Sequence, residues 1–102
     1  MSSQRTNIPN SLNEHWMPFS DNKSFKKNPR LITDAKGVYL TNHLGKKMID
    51  ASSGLFCNPL GHGRKEIIDA ITKQLQTLDY VQPFQQGFGG SFELATKIAK
   101  HT

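Results

Sequence analysis

Residues 48–66, MIDASSGLFCNPLGHGRKE, constrain the fold more than any other stretch. The stretch leaves a strand-like run, turns through Ser52, Ser53 and Gly54, and presents Leu55, Phe56 and Cys57. It then passes Asn58-Pro59 and turns again at Gly61-His62-Gly63, where a helical pattern begins. A fold for this chain must put an extended element before the stretch, a helix after it, and an irregular connection over 51–63 between them. Connections held between rigid elements are where binding residues collect.

Downstream, from Arg64, the apolar period becomes helical: Ile67, Ile68, Ile71, Leu75 and Leu78 form one stripe, and Lys65, Asp69, Lys73 and Gln76 fall mostly on the other side. Glu66 and Asp69 lie in the first turns, where the helix dipole favours acidic groups. This helix is expected to end near Asp79-Tyr80. A loop of Gln, Pro, Phe and Gly follows, and Ser91 is the expected N-cap of a second helix with Phe92, Ala95, Ile98 and Ala99 on its apolar face. That helix runs into Thr102 without a glycine cap or a stop signal, which reads as the edge of an incomplete domain.

Upstream, the runs Leu31–Ala35, Val38–Asn42 and Lys46–Asp50 read as a three-stranded antiparallel meander. Lys36-Gly37 supplies a short hairpin with glycine available for positive φ, and Asn42-His43-Leu44-Gly45 fits a type I turn closed by a glycine bulge. The alternation along these runs is imperfect, which leaves the strand registers open. Residues 1–10 are polar. Ser11-Leu12-Asn13-Glu14 has capping-box spacing, so a helix of barely two turns is expected before Pro18 disfavours it at Met17. His15, Trp16, Met17 and Phe19 make that element apolar, and one so short must dock on something. Packing of a terminal arm accounts for this, with Trp16 or Phe19 lining a pocket as the alternative. Residues 20–30 read as a polar, basic loop.

Lys plus Arg number 13 against 8 for Asp plus Glu, a formal charge of +5. Lys23, Lys26, Lys27 and Arg30 cluster around Phe25, but no nucleic-acid fold motif accompanies them, so the cluster reads as a solvated face. Hydrophobic residues at 35% and a mean hydropathy of -0.56 are thin for a chain that must close its own core. Cys57 is the only cysteine, so no internal disulfide can form, which fits a reducing compartment. No secretory leader or membrane-length apolar run is present, and the chain reads as soluble and cytoplasmic.

Cys57 and His62 are five residues apart. No local signature of a catalytic Cys/His pair surrounds them, so Cys57 reads as a buried structural thiol. The four histidines lack metal-ligand spacing. Gly61-His62-Gly63-Arg64 before a helix suits an anion, but it lacks both the Walker and the dinucleotide patterns and reads as turn geometry. Phe19, Phe56, Tyr80 and Phe84 fall in loops or at element ends. There they serve either as core or as walls of a concave site.

Taken together, HWMPFSDNKSF near the start, NPRLITDAKGVYLTNHLGKKMIDASSGLFCNPLGHGRKEI in the middle and QLQTLDYVQPFQ after the first long helix resemble the class III, pyridoxal-phosphate-dependent aminotransferases, ω-amino-acid–pyruvate (β-alanine–pyruvate) group. The likeness runs from His15 to Ala99, with its segments in family order. The resemblance implies an α/β chain forming the N-terminal part of a fold-type I aminotransferase: short N-terminal helix, three-stranded antiparallel meander, then two helices. It divides 1–102 into an N-terminal arm and loop (1–30), a meander (31–50), a pocket-wall loop (51–63) and the first helices leading into a large domain (64–102).

The resemblance further implies a homodimer that uses pyridoxal 5'-phosphate to move an amino group from an ω-amino acid or primary amine to pyruvate. It involves no nucleic acid and no membrane. By position Phe19, Leu55, Phe56, Tyr80 and Phe84 match substrate-pocket walls, with Phe84 reaching the partner subunit's site. Phe56 stands where relatives often carry Trp, implying a slightly larger pocket without an indole donor. Gly87-Phe88-Gly89-Gly90 replaces a usual His-Pro. The phosphate loop, the Asp for the pyridine nitrogen, the Schiff-base Lys and the carboxylate-binding Arg have no counterpart, so no catalytic, cofactor-binding or metal residue is assigned. The 102-residue chain alone is expected to be inactive. The rival reading is a small basic interaction module.

Overall fold

Glycine turns and short β-prone runs produce the central sheet of the computed structural model, which describes residues 8–102. β1 (Ile32–Lys36), β2 (Tyr39–Asn42) and β3 (Lys47–Ile49) form an antiparallel sheet in the order β1-β2-β3. Gly37, at φ 60°, takes the first central position of the β1–β2 connection, a conformation that costs glycine little. In the second turn the Gly45 N–H donates to the Asn42 carbonyl at 2.9 Å, and the Asn42 side chain accepts from the amides of Leu44 and Lys46 at 3.0 and 2.9 Å. Gly45 has φ 80°, the residue that closes a type I turn with a bulge.

The imperfect alternation has a physical cause. Register shifts between Ile32 and Asp34, so Thr33 is an extra residue in β1. Its hydroxyl donates to the Thr41 and Asn42 carbonyls, both at 3.3 Å. Beyond the bulge Ala35, Leu40 and Met48 pair across one face, while Asp34, Thr41 and Lys47 share the other with Lys36, Tyr39 and Ile49.

A short helix is present before the sheet, but not where Ser11 and Glu14 suggest. Asn10 and Ser11 instead accept the amides of Leu12 and Asn13, at 2.8 and 3.4 Å, and Leu12 has φ 65°. Side chains that bind the backbone two residues on compete with helix. The helix α1 (Asn22–Lys27) forms inside the stretch expected as loop, because Asp21 accepts the Ser24 amide at 3.2 Å and Lys26 and Lys27 lie at its C-terminal end. Asn22, buried at 5% exposure, is the clamp for the arm. Its amide accepts from the Met17 N–H at 2.7 Å and donates to the carbonyls of Met17 and Ser20 at 3.0 and 3.1 Å. The polar stretch over 1–7 lies outside the described residues.

A second compact unit begins at Lys65. Its helix α3 (Lys65–Thr77) follows α2 (Ser53–Phe56), a single turn in the connection. The Gln74 side chain donates to the Leu78 carbonyl at 2.8 Å and the Thr77 hydroxyl to the Lys73 carbonyl at 2.9 Å. These bonds satisfy the last turn and end α3 two residues before the expected Asp79. Helix α4 (Gly89–Ala99) starts from an extended Phe88, so Ser91 falls inside the first turn and is not its cap. Ile67, Ile68, Ile71 and Leu75 of the stripe are on the helix as read and Leu78 follows its last residue, with exposures from 38% to 59%. No large apolar side chain is buried among the described residues, and no helix there is long and apolar enough to cross a membrane.

Candidate functional site

The connection over 51–63 closes on itself at its base. The Asp50 N–H donates to the Val38 carbonyl at 2.8 Å, and Gly37 and His62 exchange N–H···O bonds of 2.9 and 2.8 Å. Both ends of the loop are thus stitched to the β1–β2 turn. Gly61 is required at the seam: it has φ +92°, and a Cβ there would sit 3.3 Å from the Gly37 carbonyl oxygen.

Side chains reinforce this closure. His62 Nε2 lies 2.7 Å from Asp50 Oδ2, and the Asn58 amide nitrogen lies 2.8 Å from His62 Nδ1. An ionised carboxylate only accepts, so Nε2 carries the proton and Nδ1 accepts from Asn58. Asp50 Oδ1 accepts from the Ser52 hydroxyl and the Gly54 N–H, both at 3.3 Å. The Asp50 side chain is 6% exposed and that of His62 21%. The hydrogen bond from His62 holds the Asp50 carboxyl below its ordinary range; burial opposes the shift, and Gly54 and Ser52 add to it.

Within this frame the backbone is left-handed. Ser53, Gly54, Leu55 and Phe56 have φ of 53°, 60°, 59° and 67°. The Phe56 N–H donates to the Ser52 carbonyl at 2.9 Å and the Asn58 N–H to the Ser53 carbonyl at 2.8 Å. Such a turn costs roughly 1–2 kcal/mol for each residue that carries a side chain, and it persists only where its surroundings over-determine it. It throws Leu55 and Phe56 outward, at 76% and 84% exposure.

Phe19 has φ 51° and is likewise fully exposed. Tyr80 and Phe84 stand out from the connection before α4, the former beside Val81 and Phe88 on a hollow of about 290 Å³. A hollow of about 340 Å³ in the other unit is lined by Pro9, Leu12, Met17, Phe25 and Leu31 among others, and holds none of the five expected wall residues.

Two expectations need correction. Cys57 is exposed rather than buried, because it follows directly on the outward turn. It makes no pair with His62, since both ring nitrogens are occupied by Asp50 and Asn58. His62 is more than turn geometry, and its partnership with Asp50 was not read from the sequence. Asp50 sits at a strand end twelve residues away, and no spacing rule links the two. Two members of the basic cluster, Lys26 and Arg30, lie over aromatics of the arm, while Lys23 and Lys27 are exposed. Lys26 lies 5.9 Å from the Trp16 ring centre and donates to the Asn13 carbonyl, while Arg30 lies 5.8 Å from that of Phe25.

No family model matches the chain. Among curated proteins it is 52% identical over 89 residues to the β-alanine–pyruvate aminotransferase of Pseudomonas aeruginosa, covering 87% of this chain and 20% of that protein. It is 48% identical over 91 residues to the ω-amino acid–pyruvate aminotransferase of Pseudomonas putida, covering 89% and 20%. Its fold matches that of the Pseudomonas jessenii ω-transaminase solved with PMP at a TM-score of 0.80 and 27% identity, over 86% of this chain and 20% of that one. In sequence and fold, the chain is similar to one segment of the ω-aminotransferases. A PLP-bound amine transaminase from an uncultivated Pseudomonas species gives a TM-score of 0.78 at 29% identity, again over 86% and 20%. The segment spans about a fifth of the length of the curated relatives it matches.

Proposed function

We propose that this segment builds part of the substrate-pocket wall of a PLP-dependent transaminase that moves an amino group from an ω-amino acid or primary amine to pyruvate. The observation that carries the reading is the 52% identity to a β-alanine–pyruvate aminotransferase over nearly the whole chain. Phe19, Leu55, Phe56, Tyr80 and Phe84 are its wall residues. All five present exposed apolar surface, and three of them, Phe19, Leu55 and Phe56, hold left-handed backbone of the kind that concentrates at ligand sites. The intact enzyme is read as a cytoplasmic homodimer in which Phe84 reaches the partner subunit's site.

When bound, the cofactor serves as electron sink for the carbanion chemistry, and protein groups position it. The described residues do not fit the role of holding it. An amine that captures the cofactor's aldehyde is typically desolvated in a pocket. Here no described lysine is buried, and Lys26, the one half-buried lysine, is taken by Asn13 and Trp16. The segment therefore shapes and walls the site and leaves proton transfer to residues outside it.

Two measurements test this. Mixed with PLP and reduced with borohydride, the isolated chain is expected to show no single lysine labelled above the others; specific labelling of one lysine contradicts the reading. In a holoenzyme chimera where this segment replaces the matched residues of the P. aeruginosa enzyme, Phe56→Trp is expected to change the ratio of kcat/KM for an aryl amine to that for β-alanine by about tenfold. An unchanged ratio counts against Phe56 as wall.

A further inference from the structure

Asp50 and His62 stand at the two ends of the strained loop, and together with Asn58 they touch its entry, middle and exit. The Asp50 carboxylate gives one oxygen to His62, at 2.7 Å, and the other to Ser52, just before the left-handed turn, and Gly54, within it. Asn58, just past the turn, donates to the opposite edge of the same imidazole at 2.8 Å. None of these bonds involves Leu55 or Phe56, but together they tie down the residues on both sides of them.

We propose that Asp50, His62 and Asn58 form a latch that fixes the direction of Leu55 and Phe56 and so determines which amine donors the pocket accepts. The proposal rests on the reading that Leu55 and Phe56 wall that pocket. The three are positioning residues, acting through the turn they hold. Four consecutive left-handed residues need such over-determination. A carboxylate 6% exposed at the loop base is shielded from competing water. The backbone bonds from Asp50 to Val38 and between His62 and Gly37 anchor the latch to the sheet, so it moves the wall relative to a rigid element. Apolar pockets discriminate by shape, and a misplacement of about 1 Å is enough to alter turnover.

The test uses the same chimeric holoenzyme, with β-alanine and 1-phenylethylamine as donors and pyruvate as acceptor. Asp50→Asn, His62→Ala, His62→Gln and Phe56→Ala are compared for kcat, KM and PLP content. Asp50→Asn and His62→Ala are expected to shift the kcat/KM ratio between the donors by about tenfold, through KM, with PLP content unchanged. His62→Gln, which retains an N–H donor for Asp50, is expected to recover most of that ratio. An equal loss for both donors, or a loss that follows PLP content, overturns the latch and leaves the residues a structural role. If Phe56→Ala shifts the ratio but Asp50→Asn and His62→Ala do not, the latch alone fails. If Phe56→Ala does not shift it, the pocket-wall reading fails first. Asn58→Ala removes a single bond, and its smaller shift in the same direction serves as the test should the other variants not fold.

Discussion

At Gly61 the absence of a side chain eases the closure of the loop. Its φ of +92° strains any side chain, and with a Cβ 3.3 Å from the Gly37 carbonyl oxygen the hairpin must give by a few tenths of an ångström. Gly61→Ala in the chimera is expected to cost about 1–3 kcal/mol, read as a lower midpoint in denaturant, and an unchanged midpoint would contradict this. The Asp50 carboxyl makes a second residue-scale prediction. Its folded pKa is depressed, so its contribution is present above the ordinary carboxyl value, about 3.9, and is lost as pH falls through the lower folded value. His62→Ala removes the largest cause of the depression. Acid-induced loss of protection at the Gly54 amide, followed by hydrogen exchange, is therefore expected at higher pH in His62→Ala than in the parent. Identical profiles would show that the His62 bond does not hold Asp50. The sequence displayed the glycines clearly at this scale but concealed the Asp50–His62 pairing, because the two are joined only by the way the loop returns to the hairpin.

Among the elements, those with a local code were legible and those set by competition were not. The meander follows from Gly37 and Gly45 at its turns, and the stripe from Ile67 to Leu78 specifies α3. The first helix was misplaced because two capping signals, at Ser11 and Asp21, lie ten residues apart. Only the second has a chain free to follow it, with Leu12 left-handed after the first. The bulge at Thr33 disguised the period of β1. The turn at 53–56 had no sequence signature beyond Gly54, since serine, leucine and phenylalanine do not favour the left-handed region. That strain is itself testable. Leu55→Gly is expected to stabilise the chimera by about 1 kcal/mol or leave it unchanged, as relief of the steric penalty offsets the backbone entropy of glycine. A clear loss of stability would mean that Leu55 packs against something that outweighs the strain. Transfer from aryl amines should fall in the same variant if the leucine side chain walls the pocket.

On the scale of the whole molecule, no large apolar side chain is buried among the described residues, and the chain spans about one fifth of its relatives' length. The exposed stripe of α3 is apolar surface that the rest of the chimera is expected to cover. Ile71→Ala is accordingly expected to destabilise the chimera by about 2–5 kcal/mol, and a change below 1 kcal/mol would show the stripe facing water. The ordered segments HWMPF, D-x-x-x-GL and GHGRKE carried the family resemblance before the fold was seen. The most direct measurement of the central claim is the rate of alanine formation from β-alanine and pyruvate by the PLP-loaded chimera. Activity within about tenfold of the parent aminotransferase is predicted, since the role proposed for the segment is wall and frame. A folded chimera with full PLP content and no amino transfer would contradict it.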